Sequence, residues 1–425
     1  MGILFLLLFI LLLLLFLGVP IAISLGLATA LIAILANTSP LEIVPQQMFN
    51  SINSFPLMAI PFFVLAGSLM QHGGISKRLV AFAQTLVGHL SGGLAMVAVL
   101  TSMFFAAISG SGAATTAAIG AIMIPAMIAN GYRKDFATAN QAVSGALGVI
   151  IPPSIPLILY AIAAKQSAGD MFTAGILPGL FITMTLLITA YIYSKKKGLK
   201  GVEKASYKEI FQRFYRAILS ILMPVIVLGG IYGGIFTPTE AAVIAVVYSL
   251  IVGVFIYREL KIKDLPNIFI ESSMTTGIIL IIISTAGILS FTLNRLGIPD
   301  LIKDSFLEFT TSLFVFIILV NILLLIVGMF MEAAAAILIF VPILLPIALS
   351  LGMDPVHFGI IVVVNLAIGL VTPPVGLNLF VAMKISKVTL PALTRAVIPF
   401  VIILFVDVLI ISFIPALSTW LVNLM

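Results

Sequence analysis

The side chains in this sequence best able to do chemistry are hydroxyls set beside opened backbone. Ser109-Gly110-Ser111-Gly112 interrupts an apolar run, with Thr115 one turn further on, and Gly148-Val149-Ile150-Ile151-Pro152-Pro153-Ser154 follows downstream. Neutral hydroxyl and carbonyl oxygens are the donors a small hard cation prefers. One candidate sodium site therefore takes Ser109, Ser111, Thr115 and Ser154 with carbonyls freed from Gly148 to Ile151, flanked by Gly112 and Pro153. A second takes the loop from Gly328 to Glu332, the carbonyl region of Gly369, and Thr372. Its tip, Met329-Phe330-Met331-Glu332, lacks the serines of the first and must rely more on backbone carbonyls. Small residues can also serve close helix packing alone, and Pro-Pro can be a simple kink; the duplication described next argues against both.

These groups need unusual elements to hold them. Two adjacent prolines remove two backbone donors and bar the preceding residue from helical geometry, so Gly-x-x-x-Pro-Pro opens a helix at 148–153 and again at 369–374. The opened ends offer bare carbonyls and bare amides, which suit a cation and an anion together. A substrate carboxylate is expected between the two tips, with Asn140, Arg295, Glu332 and Asn378 as candidate polar contacts. Glu332 beside a tip should touch a cation, a proton or a donor set, or else form a salt bridge. In Gly233-Gly234-Ile235-Phe236-Thr237-Pro238-Thr239-Glu240-Ala241-Ala242 the acid is expected to shape a helix start, capped by Thr237 or Thr239. No partner for Asp407 can be named from the sequence.

The two sets are copies. At one constant offset along the chain, Pro125 falls on Pro346, Gly131 on Gly352, Gly148 on Gly369, Pro152-Pro153 on Pro373-Pro374, Ala161 on Ala382 and Pro178 on Pro399. Each copy begins with an apolar stretch broken halfway, read as a re-entrant hairpin at about 93–130 and about 313–350. A discontinuous helix follows each hairpin, at about 137–165 and about 356–385. The halves span 1–193 and 217–425, joined by 194–216, expected as an amphipathic helix on the cytoplasmic surface.

Composition sets the class. Of 425 residues 62% are hydrophobic and 8% charged, against roughly 25% charged in soluble domains, so the chain reads as one all-α polytopic membrane domain. Gly2 to Leu17 has no basic flank or small-residue cleavage site and is read as a retained helix. The absence of cysteine excludes disulfides and thiolate chemistry. His72, His89 and His357 lack paired ligand spacing and read as packing or interfacial residues. Placed on the expected helices, 18 of the 21 Lys and Arg lie on one side, leaving Lys165, Arg295 and Lys303 opposite. That asymmetry puts the basic loops in the cytoplasm. It also makes hairpin 1 enter from the cytoplasm and hairpin 2 from the periplasm, so the repeat is inverted.

The broken hairpins, both Gly-x-x-x-Pro-Pro elements and the Gly-Gly-Ile-Phe-Thr-Pro-Thr-Glu-Ala-Ala segment resemble the large membrane (M, DctM-like) subunit of tripartite ATP-independent periplasmic (TRAP) transporters over essentially the whole chain. The resemblance implies an elevator-type carrier of the ion-transporter superfamily in the bacterial inner membrane. It further implies a sodium gradient as driving force, a small four-helix membrane subunit, and a periplasmic protein that captures a small organic acid such as a C4-dicarboxylate or sialic acid. It carries cation ligation to Ser109, Ser111, Gly148 and the Pro152-Pro153 region, and by repeat symmetry to Gly328, Glu332, Gly369 and Thr372. Some members fuse the small subunit to the large one; none precedes Met1, so a separate chain is expected. A stand-alone sodium/dicarboxylate carrier would share the hairpins and need no binding protein. An intramembrane enzyme would need a nucleophile with a base, or paired metal ligands, and the sequence offers neither. A channel would show flux without saturation. Nothing in the charge pattern calls for nucleic acid.

Overall fold

The structure, a computed structural model, describes residues 2–35, 40 and 42–424, and is helical throughout those residues. The first half holds α1 (Gly2–Phe16), α2 (Ile21–Leu35), α3 (Ile43–Ile52), α4 (Ala59–His72) and α5 (Ile75–Val87). Hairpin 1 is α6 (Gly93–Ser109) and α7 (Gly112–Ala129), and the first broken helix is α8 (Lys134–Gly145), α9 (Leu147–Ile150) and α10 (Ile155–Ala163), followed by α11 (Ala168–Lys196). The second half runs through α12 (Tyr207–Tyr232), α13 (Pro238–Leu250), α14 (Leu265–Arg295) and α15 (Ile298–Phe309). Hairpin 2 is α16 (Leu313–Phe330) and α17 (Ala333–Ser350); α18 (Pro355–Gly369) and α19 (Leu377–Ser386) flank the second break, and α20 (Leu390–Phe413) and α21 (Ala416–Thr419) close the chain. Among the described residues nine helices are long and apolar enough to cross a membrane, and the segments either side of the first break meet at 41°. Large apolar side chains such as Phe9, Phe16, Met274, Ile278, Phe314 and Ile402 stand exposed, as a lipid-facing surface requires.

The repeat is visible in the elements themselves. α7 starts at Gly112 and α17 at Ala333, α8 at Lys134 and α18 at Pro355, so both pairs keep the offset of the matched prolines. The copies exchange partners: α7 packs on α19, and α17 packs on α10. Likewise α8 packs on α20 while α11 packs on α18, and α13 on α4 as α2 on α14. Such reciprocal contacts are what two-fold related halves produce. Between α11 and α20, Thr185 Oγ1 donates to Asp407 Oδ2 at 2.6 Å. That hydrogen bond supplies the partner the sequence could not name. Tyr160 Oη on α10 donates to the Pro355 carbonyl of the other copy at 2.5 Å.

One expected element is not formed. Residues 194–216 are not a single amphipathic helix, because α11 runs on to Lys196 and α12 starts at Tyr207. Between them Gly198 takes a left-handed φ of 68°, and a Cβ on Gly201 would collide with the His89 and Leu90 carbonyl oxygens. The stretch is bonded instead to the α5–α6 turn, Val202 N–H to Gly88 O at 3.0 Å and Gly92 N–H to Leu199 O at 3.2 Å. Ser206 then restarts helix by accepting from Glu209 N–H at 3.2 Å.

Hairpin 2 reaches its broken helix only through glycine. A Cβ on Gly369 would overlap both Gly328 Cα and its carbonyl carbon. Gly369→Ala should therefore cost about 1–3 kcal/mol through overpacking and lower the unfolding temperature in detergent. Gly277→Ala, with nothing within 4 Å of the new methyl, should not. Equal stability of Gly369→Ala and the parent chain would contradict this seating.

Candidate functional site

The tip of hairpin 1 is formed by Gly110 and Ser111. Gly110 ends α6 with a left-handed φ of 60°, and Ser111 caps α7 by accepting from Ala114 N–H. Behind it the oxygens crowd together: Ser109 Oγ and Thr115 Oγ1 are 2.8 Å apart, and they donate to the Ser111 carbonyl at 3.4 and 2.9 Å. Gly148 lies directly against this group, since a Cβ there would collide with Ser111 O and lie 2.6 Å from Thr115 Oγ1. Pro153 O faces Gly110, and Ile155 N–H donates to Gly110 O at 3.3 Å. Ser154 caps α10 and donates to the freed Val149 carbonyl at 2.5 Å. The structure thus gathers Ser109, Ser111, Gly112, Thr115, Gly148, Pro153 and Ser154 around one tip. Ile151 instead directs its side chain onto Gly179.

The second tip repeats the backbone and changes the side chains. Gly376 N–H, at the repeat position of Ile155, also donates to its hairpin tip, to Met329 O at 3.2 Å, two residues before the position matching Gly110. Gly328 and Gly369 touch backbone to backbone. Thr372 returns its hydroxyl to Ile368 O at 2.7 Å, which occupies its proton but leaves oxygen lone pairs. Glu332, the repeat counterpart of Ser111, takes the same N-cap place and accepts from Ala334 N–H at 3.1 Å. Among the described residues no Lys, Arg or His pairs with it, so the salt-bridge reading is not what is found.

Both tips open on one cavity of about 670 Å³, walled on its far side by α2, α4 and α14. Ala113 and Ala114 of α7, Ile155 and Pro156 of α10, Glu332 at the head of α17 and Leu377 of α19 all line it. Four helix N-termini therefore border it, that of α17 capped by the Glu332 carboxylate, and among the described lining residues none is Lys, Arg or His. Amides and dipoles of that polarity stabilise an anion without a basic side chain. Ser68, Gln71 and Thr275 add polar groups from the opposite wall. Sequence reasoning missed them, although Ser68 and Gln71, three apart on an otherwise apolar helix, share a face.

Other candidates fall elsewhere. Arg295 is exposed at the end of α14 and does not line the cavity. Asn140 is buried between α8 and α6, donating to Ala95 O at 3.2 Å. Asn378 is buried against Gly112 and donates to Ala142 O at 3.4 Å. Thr237 and Glu240 form a reciprocal capping box at the start of α13. The histidines stay apart, His357 bonding Ser418 Oγ and Ser412 O at 3.2 Å each, and no described group of three His, Cys, Asp or Glu could hold a metal.

Residues 8–417 match the family model described as tripartite ATP-independent periplasmic transporter, DctM component. The C4-dicarboxylate TRAP transporter large permease protein DctM of Pseudomonas aeruginosa is 45% identical over 398 residues, covering 94% of this chain and 93% of that protein. The isethionate TRAP transporter permease protein DctMQ of Oleidesulfovibrio alaskensis is 47% identical over 393 residues, 92% of this chain but 62% of that longer protein. The sialic acid TRAP transporter large permease protein SiaM of Vibrio cholerae is 37% identical over 382 residues, 90% of each. Among solved structures, the YdaH transporter of Alcanivorax borkumensis has a similar fold, with TM-score 0.62 at 15% identity over 88% of this chain and 87% of that one.

The chain contains no cysteine, so single cysteines report the cavity directly. Ser68→Cys and Gln71→Cys should react with a water-soluble maleimide at least about tenfold faster than Thr101→Cys, whose parent side chain is 0% exposed. Equal rates would mean that the cavity is not open to water.

Proposed function

This chain belongs to the DctM family of tripartite ATP-independent periplasmic transporters, and we propose that it carries a small organic anion into the cell across the inner membrane, driven by an inward sodium gradient. The observation that bears most weight is that four helix N-termini border one cavity with no basic side chain among its described lining residues. The substrates printed in the relatives' names, a C4-dicarboxylate, isethionate and sialic acid, are all acids. A carboxylate or sulfonate held by backbone amides suits that range, because amides recognise the oxyanion and leave the rest of the molecule free.

Sodium coupling is supported by the neutral oxygen cluster of Ser109, Ser111 and Thr115 beside Gly148, with a second ion at the Gly328, Glu332, Gly369 and Thr372 tip. A cation at each tip would stand next to the anion cavity and raise its affinity by direct attraction. Elevator movement is supported by the reciprocal packing of the hairpins on the broken helices, which makes one inner body facing α2, α4 and α14 across the cavity. In this reading the basic loops face the cytoplasm, a small membrane subunit braces the outer helices, and a periplasmic protein delivers the substrate.

Uptake of a radiolabelled dicarboxylate or sialic acid into proteoliposomes holding this chain with its small subunit should require both an inward sodium gradient and the binding protein. Uptake without the binding protein would instead identify a stand-alone carrier. Ser109→Ala should raise the half-saturating sodium concentration about tenfold, the effect of losing roughly 1.4 kcal/mol of ion binding. Sodium dependence unchanged in both Ser109→Ala and Glu332→Ala would remove the assignment of these tips.

A further inference from the structure

Five buried side-chain oxygens with no hydrogen-bond partner among the described residues lie on a set of helices packed together: Thr101 on α6, Thr116 on α7, Asn140 and Gln141 on α8, and Asn378 on α19. Unsatisfied buried acceptors are costly, and each calls for an explanation. The seam they form lies where α6, α7, α8 and α19 pack together, next to the tip oxygens: Gly145 meets Thr116 as Gly148, one turn on, meets Thr115.

Backbone opening at the end of α8 adds to it. Ala146 N–H donates to Val143 O at 3.0 Å and Val149 N–H to Ala146 O at 3.1 Å. Both bonds fall one residue short of the α-helical pattern, which releases the Ala142 and Gly145 carbonyls. Asn378 Nδ2 takes Ala142 O, and that donation fixes the amide so that Oδ1 is left over. A Cβ on Gly112 would lie 3.1 Å from Asn378 Nδ2, 3.3 Å from its Oδ1 and 3.3 Å from Gly145 O, while one on Gly145 would meet Thr116 Oγ1 and lie 3.1 Å from Gly112 O. Two unpartnered side-chain oxygens and two carbonyls therefore surround the Gly112–Gly145 contact.

We infer that Thr116 Oγ1, Asn378 Oδ1 and the carbonyls of Gly112 and Gly145 hold a third monovalent cation, distinct from the ion at the Ser109 tip; this rests on the sodium-coupled reading above. A water molecule has two protons to give to this set of oxygens, whereas a cation serves every acceptor at once. The set contains no carboxylate, which fits a single positive charge and not a buried divalent ion. Because Asn378 belongs to the second copy and Thr116 to the first, the ion would fasten α19 to hairpin 1.

The test is equilibrium binding of radioactive sodium to the purified full chain, with choline chloride holding ionic strength constant. The wild-type chain should bind three ions and Thr116→Val two with the remaining affinity unchanged, and adding Ser109→Ala to Thr116→Val should shift one of those two to an about tenfold higher half-saturating sodium concentration. Asn378→Asp should fold around the same contacts and lower the half-saturating sodium concentration of one ion about tenfold. A sodium count and affinity unaltered by Thr116→Val or by Asn378→Asp would overturn the third site. Two ions in wild type would do so as well while leaving the tip sites standing, and none in wild type would overturn the coupling scheme with it.

Discussion

Hydrocarbon offers no water to an opened helix, so each backbone group exposed by a break must find a partner inside the protein. Here the partners are supplied by the tips of the hairpins. Gly110 O receives Ile155 N–H, and Met329 O receives Gly376 N–H. Those two bonds join each re-entrant tip to the far side of its Pro-Pro break. The approach they need is made possible by glycine at 148 and 369, where a Cβ would collide with backbone or with Thr115, and at 328, where one would be held tightly against Gly369 and Leu366. Hairpin and broken helix are therefore one unit, and neither would be tolerated at membrane depth without the other.

The same constraint generates the chemistry. Opening a helix turns its ends toward a common point, carbonyls in one half and amides in the other. The carbonyl side, enriched by Ser109 and Thr115, suits a cation. On the other side the positive ends of α7, α10 and α19 border the cavity at Ala113, Ile155 and Leu377, a polarity that suits an anion without an arginine. Charge alone makes Arg295 the natural candidate for that role, yet it lies exposed on α14. An oxyanion held by amides and dipoles requires no buried guanidinium, which would have to be desolvated on binding.

Symmetry is kept in the backbone and broken in the side chains. Ser111 and Glu332 both cap the second arm of a hairpin, but one presents a hydroxyl and the other a carboxylate to the same cavity. An exact two-fold would place identical groups at both, so this exchange is where the two tips differ in chemistry.

Membrane class, the internal repeat, both broken hairpins and both opened helices are legible in the chain without its fold, because proline, glycine and apolar run length act through local backbone geometry and burial. The hydroxyls of the first tip are legible too, being close in the chain as well as in space. Everything that depends on partners far apart in sequence is settled by the folded packing: that 194–216 binds the α5–α6 turn instead of forming its own helix, that Asp407 meets Thr185, that Asn378 lies against hairpin 1 and Arg295 outside the cavity, and that Ser68 and Gln71 face the tips. The Asp407 and Asn378 placements follow from the exchange of partners between the two copies, and all of them are packing relations across long stretches of chain that no local spacing encodes.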